Sequence, residues 1–152
     1  MGETINLKEF YLTDNENIRI SAQLFRKLED YTDLLTHIIE VNNRCLLYRQ
    51  NNNLPMFFCI YIDLKNVKLK NADYEFIKML IPFLENAYPD NLEKMYFMNT
   101  PFIFKTAYSI IRAFIHKDTR KKITFIKSKD LKNLNKEFLD EEVPEDKLDD
   151  LF

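Results

Sequence analysis

The 152 residues, 46% hydrophobic and 14% aromatic, suffice to bury one core and are too few for two ordinary domains. With 22 basic residues against 24 acidic ones the formal charge is −2, so no global field draws the chain to nucleic acid or to an anionic membrane. A single glycine excludes the G-x-G-x-x-G and Walker loops, which need glycine to bring backbone amides up to a phosphate.

The opening residues, MGETINLKEF, lack the apolar stretch of a secretory signal, and Asn6 stands where a myristoylation signal carries Ser or Thr. An unlipidated intracellular protein is expected. Residues 5–12 read as extended, 13–17 as a polar turn and 18–22 as a partner strand, which together make an N-terminal hairpin. Beyond Asp30, the apolar residues Leu34, Leu35, Ile38, Ile39, Leu46 and Leu47 recur near helical spacing until Asn51, Asn52, Asn53 and Pro55 stop the pattern. His37 in this helix and His116 further on stand alone, and each reads as a helix or surface residue rather than a metal ligand. Cys45 and Cys59 form no C-x-x-C pair and suit reduced thiols in the cytosol.

Residues 56–62 form a continuous apolar run, short enough for a central strand buried on both faces and ending at Asp63. Asn71 is placed to cap a helix whose stripe is Phe76, Ile77, Leu80, Ile81 and Leu84 and which ends before Pro89. Residues 95–98 give another short strand. Thr100 and Pro101 have the form of a cap followed by proline, and residues 102–115 follow as a helix apolar on nearly every side. That stretch reaches only about 22 Å against a hydrocarbon core of about 30 Å, and Lys105 and Arg112 interrupt it, so it does not span a bilayer. By periodicity alone it is an ordinary core helix. Residues 123–126 give a last strand, Ser128 is placed to cap a charged helix, and an acidic tail trails off from about residue 140. Strand, helix, strand, helix, strand with a hairpin in front predicts an α/β fold: a mixed, mostly parallel sheet flanked by helices.

Three motifs carry a family resemblance. Phe97, Asn99, Pro101, Phe102, Phe104 and Ala107 occupy the frame apolar-N-x-P-F-x-F-x-x-A; Asp63, Leu64 and Lys65 end a strand as D-L-K; Tyr88, Pro89 and Asp90 stand as Y-P-acid. Over about residues 55–147 the chain resembles the CRAL-TRIO lipid-binding family, and residues 1–152 are expected to form one such domain. The resemblance implies a lid helix over an apolar cavity, with Phe58, Ile60, Leu84, Tyr88, Phe102, Phe104, Tyr108 and Ile111 on the cavity or lid.

It also implies a headgroup site for phosphatidylinositol or a phosphoinositide at Asp90, Thr119 and Lys122, with Arg120 and Lys121 raising the local positive potential. Such a set is chemically sensible, since a carboxylate accepts from inositol hydroxyls while a hydroxyl and an ammonium donate to phosphate. Without the resemblance, the run HKDTRKK reads as a solvated turn ahead of a strand. Phosphatidylcholine-binding members carry hydroxyl side chains where this chain has Phe58, Ile60 and Leu84, which argues against a choline headgroup.

The family's hinge glycine is Glu93 here, its C-terminal Gly-Gly is missing, and its N-terminal helical bundle has no counterpart. Those departures leave an alternative, the BCH-type branch of the same fold, a scaffold for a small GTPase or another protein. No Ser-His-Asp grouping has a nucleophile-elbow context and Cys59 lies in an apolar strand, so no catalysis is expected. No cofactor or metal is expected beyond a phospholipid ligand. The expected partners are that phospholipid and a transient membrane surface, with peripheral attachment from the cytoplasm, no nucleic acid, and room for a protein partner or a homodimer.

Overall fold

The computed structural model describes residues 4–68, 73–127 and 141–144. Its sheet has six strands in sequential order: β1 (Tyr11–Thr13), β2 (Ile18–Ser21), β3 (Phe58–Asp63), β4 (Leu92–Met98), β5 (Ile123–Lys127) and β6 (Glu141–Pro144). The pairs β2–β3, β3–β4 and β4–β5 are parallel, and the hairpin β1–β2 and the edge pair β5–β6 are antiparallel. The sheet is therefore mixed and mostly parallel, and residues 58–62 of the apolar run lie on a central strand. That strand is not buried on both faces as expected, since Phe58 and Ile60 face the core while Cys59 and Tyr61 on the opposite face are half-buried and Met56 and Phe57 are exposed ahead of it.

The crossovers carry α2 (Thr32–Asn51), α3 (Tyr74–Ala87) and α4 (Phe104–Ile111), followed by a 3-10 turn (Arg112–Phe114) and the short α5 (Lys117–Arg120). Because successive strands are also spatial neighbours, crossovers of one hand put all of these helices on one face of the sheet. Register agrees: Ile18, Ile60 and Met95 pair across three strands, as do Ile62, Phe97 and Phe125, and these point into the helix layer.

The core has two parts. One gathers Tyr11, Ile18, Phe25, Phe58, Ile60 and Phe76 around the buried α2 stripe Leu34, Ile38, Val41 and Cys45. The other gathers Phe97, Phe104, Tyr108, Ile115, Ile123 and Phe125 beneath α4. Ile62 and Met95 pack against both. Asparagine does the work that glycine does elsewhere: Asn15, Asn53, Asn66 and Asn99 all take positive φ, at turns in a chain with a single glycine. Asn99 also donates its side-chain amide to Asp63 Oδ1 at 2.9 Å, so two of the resemblance motifs clamp together the ends of β3 and β4.

Several local expectations are corrected. Residues 7–10 form a helical turn, α1 (Leu7–Phe10), with Asn6 Oδ1 accepting from the Glu9 N–H, and only Tyr11 onward is strand. Leu47, placed on the apolar stripe of α2, is exposed. Helix α3 is capped by Asp73, whose carboxylate accepts from the Phe76 N–H, while Asn71 lies outside the described residues. Thr100 does not cap α4: its hydroxyl is buried without a partner and the helix starts at Phe104. The acidic tail does not simply trail off, because residues 141–144 pair with β5, a long-range contact that acidic composition hides. The helix expected after Ser128 lies outside the described residues.

Candidate functional site

Between the sheet and helices α3 and α4, at the seam of the two core clusters, lies a cavity of about 250 Å³. Its floor is Ile20, Ile60, Ile62, Met95 and Phe97, and its walls include Leu80, Ile81 and Leu84 from α3 and Phe104, Ala107 and Ile111 from α4. Among the described residues that line it, only Tyr11, Lys68 and Thr119 carry a polar group. Tyr11 is turned away from ligand chemistry: its hydroxyl donates to Asn42 Oδ1 at 2.6 Å and burial pushes its pKa far up. An apolar lining of this kind takes hydrocarbon and offers a polar ligand no partner along most of its length.

Ile60, Leu84, Phe104 and Ile111, expected on the cavity, line it. Phe58 is instead buried in the first core cluster, and Tyr88 donates its hydroxyl to Asn43 Oδ1 at 3.0 Å outside the lining. Tyr108 is fully buried in an aromatic cluster with Phe97, Phe104 and Phe125. Phe102, in the turn before α4, points outward with 76% of its surface exposed; Ile103 is partly exposed while also lining the cavity, and Ile110 is exposed on the helix. The expectation of a helix apolar on nearly every side holds for the inner face only: outside, α4 exposes Thr106 and Ser109 beside Ile110, because the short helix turns these two hydroxyl residues away from the core. Helix α3, which contacts it, exposes Met79 and Phe83.

The headgroup candidates lie on the segments that lead into β4 and β5. Asp90 is exposed in the turn ahead of β4, and Lys122 immediately precedes β5, its carbonyl accepting from the Met95 N–H at 2.9 Å. Thr119 alone of the set lines the cavity. Its hydroxyl donates to Glu85 Oε2 at 2.6 Å, and the same oxygen accepts from the His116 N–H at 3.0 Å. Arg120 has a buried Nε with no hydrogen-bond partner among the described residues, and Lys121 is exposed. Glu85 was not legible as a site residue, because its partners lie more than thirty positions away and no spacing rule connects them.

Other groups have structural roles. His37 Nε2 makes a 2.7 Å hydrogen bond with the Tyr11 carbonyl, and His116 Nδ1 accepts from the Asp118 N–H. The Cys59 thiol is pushed up to about 11 by burial and by the nearby Glu93 charge, so it is not a thiolate at neutral pH. Glu93, in the hinge-glycine position, sits beside the register shift between β3 and β4. Among the described residues no group of three His, Cys, Asp or Glu is placed to hold a metal, and no helix is long and apolar enough to cross a membrane.

The model of the CRAL/TRIO domain family matches residues 14–147. A CRAL-TRIO domain-containing protein of Saccharomyces cerevisiae is 29% identical over 92% of this chain and 43% of its own length. The SEC14 cytosolic factor of Yarrowia lipolytica is 30% identical over 78% of this chain and 23% of its own length. The phosphatidylinositol transfer protein SFH5 of Candida glabrata is 29% identical over 75% and 39%. The chain therefore spans less than half the length of these relatives. The crystal structure of Sfh5 superposes with a TM-score of 0.55 over 81% of this chain and 49% of that one, at 22% identity, and shares the fold.

Proposed function

This chain belongs to the CRAL/TRIO domain family, and from that premise we propose that it binds one phospholipid, phosphatidylinositol or a phosphoinositide, and presents or transfers it between membranes. The observation that carries the reading is the apolar cavity between the sheet and helices α3 and α4, beside which Phe102 and Ile110 stand exposed. Two of the relatives point the same way, one being called a SEC14 cytosolic factor and another a phosphatidylinositol transfer protein.

Acyl chains gain about 0.8 kcal/mol per methylene on leaving water, yet a chain leaving a bilayer forfeits a similar amount, so hydrocarbon burial nearly cancels in exchange. Selection then falls to the headgroup, for which Asp90, Thr119 and Lys122 supply an acceptor, a hydroxyl and an ammonium, with Arg120 and Lys121 beside them. Drug-sized ligands already occupy roughly 300–1,000 Å³, so a two-chain lipid needs more than the 250 Å³ present with α4 in place. Loading therefore requires α4 and the turn after it to swing outward, and Phe102, Ile103 and Ile110 suit that element to the membrane interface.

Lys122→Ala tests the headgroup assignment. Losing one charge-assisted contact of about 1.5–3 kcal/mol should slow transfer of fluorescent phosphatidylinositol between vesicles on the order of ten- to a hundredfold, with the melting temperature unchanged. Equal transfer by both proteins removes Lys122 from the site. If the parent protein transfers nothing and native mass spectrometry finds no lipid in it, the BCH-type scaffold reading takes its place.

A further inference from the structure

Thr119 presents a small hydroxyl on the cavity wall, and in this conformation that hydroxyl is already engaged by Glu85. The same carboxylate oxygen takes the His116 N–H, so one anion on α3 collects two donors from the segment that follows α4. Its location is not one that helix stability favours. Glu85 stands in the last turn of α3, which contains no basic residue, where a carboxylate faces the negative end of the helix dipole. One residue beyond Thr119, the buried Arg120 Nε has no hydrogen-bond partner among the described residues. Two donors held by a carboxylate and a third left over are what a phosphate site looks like when an internal anion occupies it.

We infer that Glu85 is a built-in competitor for the lipid phosphate, holding α5 against α3 until an anionic headgroup displaces it from Thr119 and His116. The inference rests on the reading of the preceding subsection and adds a specificity-determining residue to it. Displacement has two consequences. It links headgroup arrival to release of the segment at the end of the lid, because a phosphate that takes the Thr119 hydroxyl from Glu85 leaves the His116 N–H without its acceptor. It also selects against apolar ligands with neutral polar ends, which bring no charge to compete with a carboxylate.

The test measures binding of the whole chain to vesicles doped with pyrene-labelled phosphatidylinositol, alongside hydrogen exchange at the His116 amide. Glu85→Ala frees both donors and removes a repelling charge, so its affinity should rise roughly ten- to a hundredfold. Glu85→Gln keeps an acceptor for Thr119 and His116 but loses the charge, so it should fall between the parent and Glu85→Ala; if the alanine variant melts early, the glutamine variant decides. In the parent protein the His116 amide should lose protection when the labelled vesicles are added. Variants that fold normally and bind no tighter than a parent that does bind overturn this inference and leave the lipid reading standing, as does a His116 amide still protected with lipid bound. A parent that takes up no phosphatidylinositol overturns both.

Discussion

The two halves of the helix layer are built differently. Helix α2 and the hairpin beneath it are locked by polar bonds: Tyr11 to Asn42, His37 to the Tyr11 carbonyl, and Arg49, whose guanidinium donates to the carbonyls of Glu16 and Pro55 and to Asn17 Oδ1. Asn17 Oδ1 in turn accepts from the Cys59 N–H, tying the hairpin turn to the central strand. The α4 half relies on aromatic packing of Phe104 and Tyr108 on Phe97 and Phe125, and no side chain caps its helix. Hydrogen bonds are directional and buried ones are costly to break, whereas apolar contacts tolerate sliding and exchange with another apolar surface. One half is suited to stay while the other moves.

The strongest way to break this contrast is Arg49→Ala. It strands the carbonyls of Glu16 and Pro55 and removes one of the two bonds to Asn17 Oδ1, each bond worth about 1 kcal/mol, so urea unfolding should show a loss of about 3 kcal/mol. A loss below about 1 kcal/mol would mean that the polar locks are incidental and the two halves differ in appearance only.

The next effect is pH-dependent and concerns the seam. Asp73 Oδ2 accepts from the Tyr31 hydroxyl at 2.6 Å and Oδ1 accepts from the Phe76 N–H, so one carboxylate joins the start of α3 to the first half of the molecule. Burial works to raise its pKa, but the bonds from Tyr31 and the helix start outweigh it and hold it below the usual carboxylate value. Tyr31 is correspondingly pushed up to about 12 by burial and by that bond to Asp73. A group more acidic folded than unfolded stabilises the fold above its unfolded pKa, about 3.9 for Asp, and loses that contribution as pH falls through the lower folded value. Asp73→Ala should therefore cost about 1–2 kcal/mol at neutral pH, with the gap to the parent closing below about pH 4 in denaturant titrations. A gap that is constant down to pH 3 would assign Asp73 no ionic role.

The same contrast explains what the sequence made legible. Helices α2 and α3 and strands β3 to β5 announce themselves through period and apolar runs, because those patterns are set by which face meets the core. The first helical turn spans only four residues, too few for a period to register, and the edge strand at 141–144 depends on a partner supplied by β5. At the cavity, Thr119 is picked out by a family frame and the roof by its apolar residues. Glu85 is not, since on α3 it reads as a solvent-facing acid, and only folding brings it to His116 and Thr119. Phe104 and Tyr108 shared one motif region with Phe102, yet the first two, four apart on one face of α4, are buried and the third is outside, because it lies in the turn before the helix begins.

That separation gives the finest test of the contrast, small in stability and specific in function. Phe104 lies inside the aromatic cluster, so a charge there would damage the core and say nothing about membranes. Phe102 and Ile110 are exposed, and replacing either by Asp should change stability by only about 0.5 kcal/mol or less. If the outer side of α4 enters the membrane interface, Phe102→Asp combined with Ile110→Asp removes its apolar anchor and sets negative charge against anionic headgroups. Flotation with phosphatidylinositol-containing vesicles should then fall severalfold while melting stays near the parent value. Unchanged flotation would mean that the exposed Phe102 and Ile110 serve something other than the bilayer.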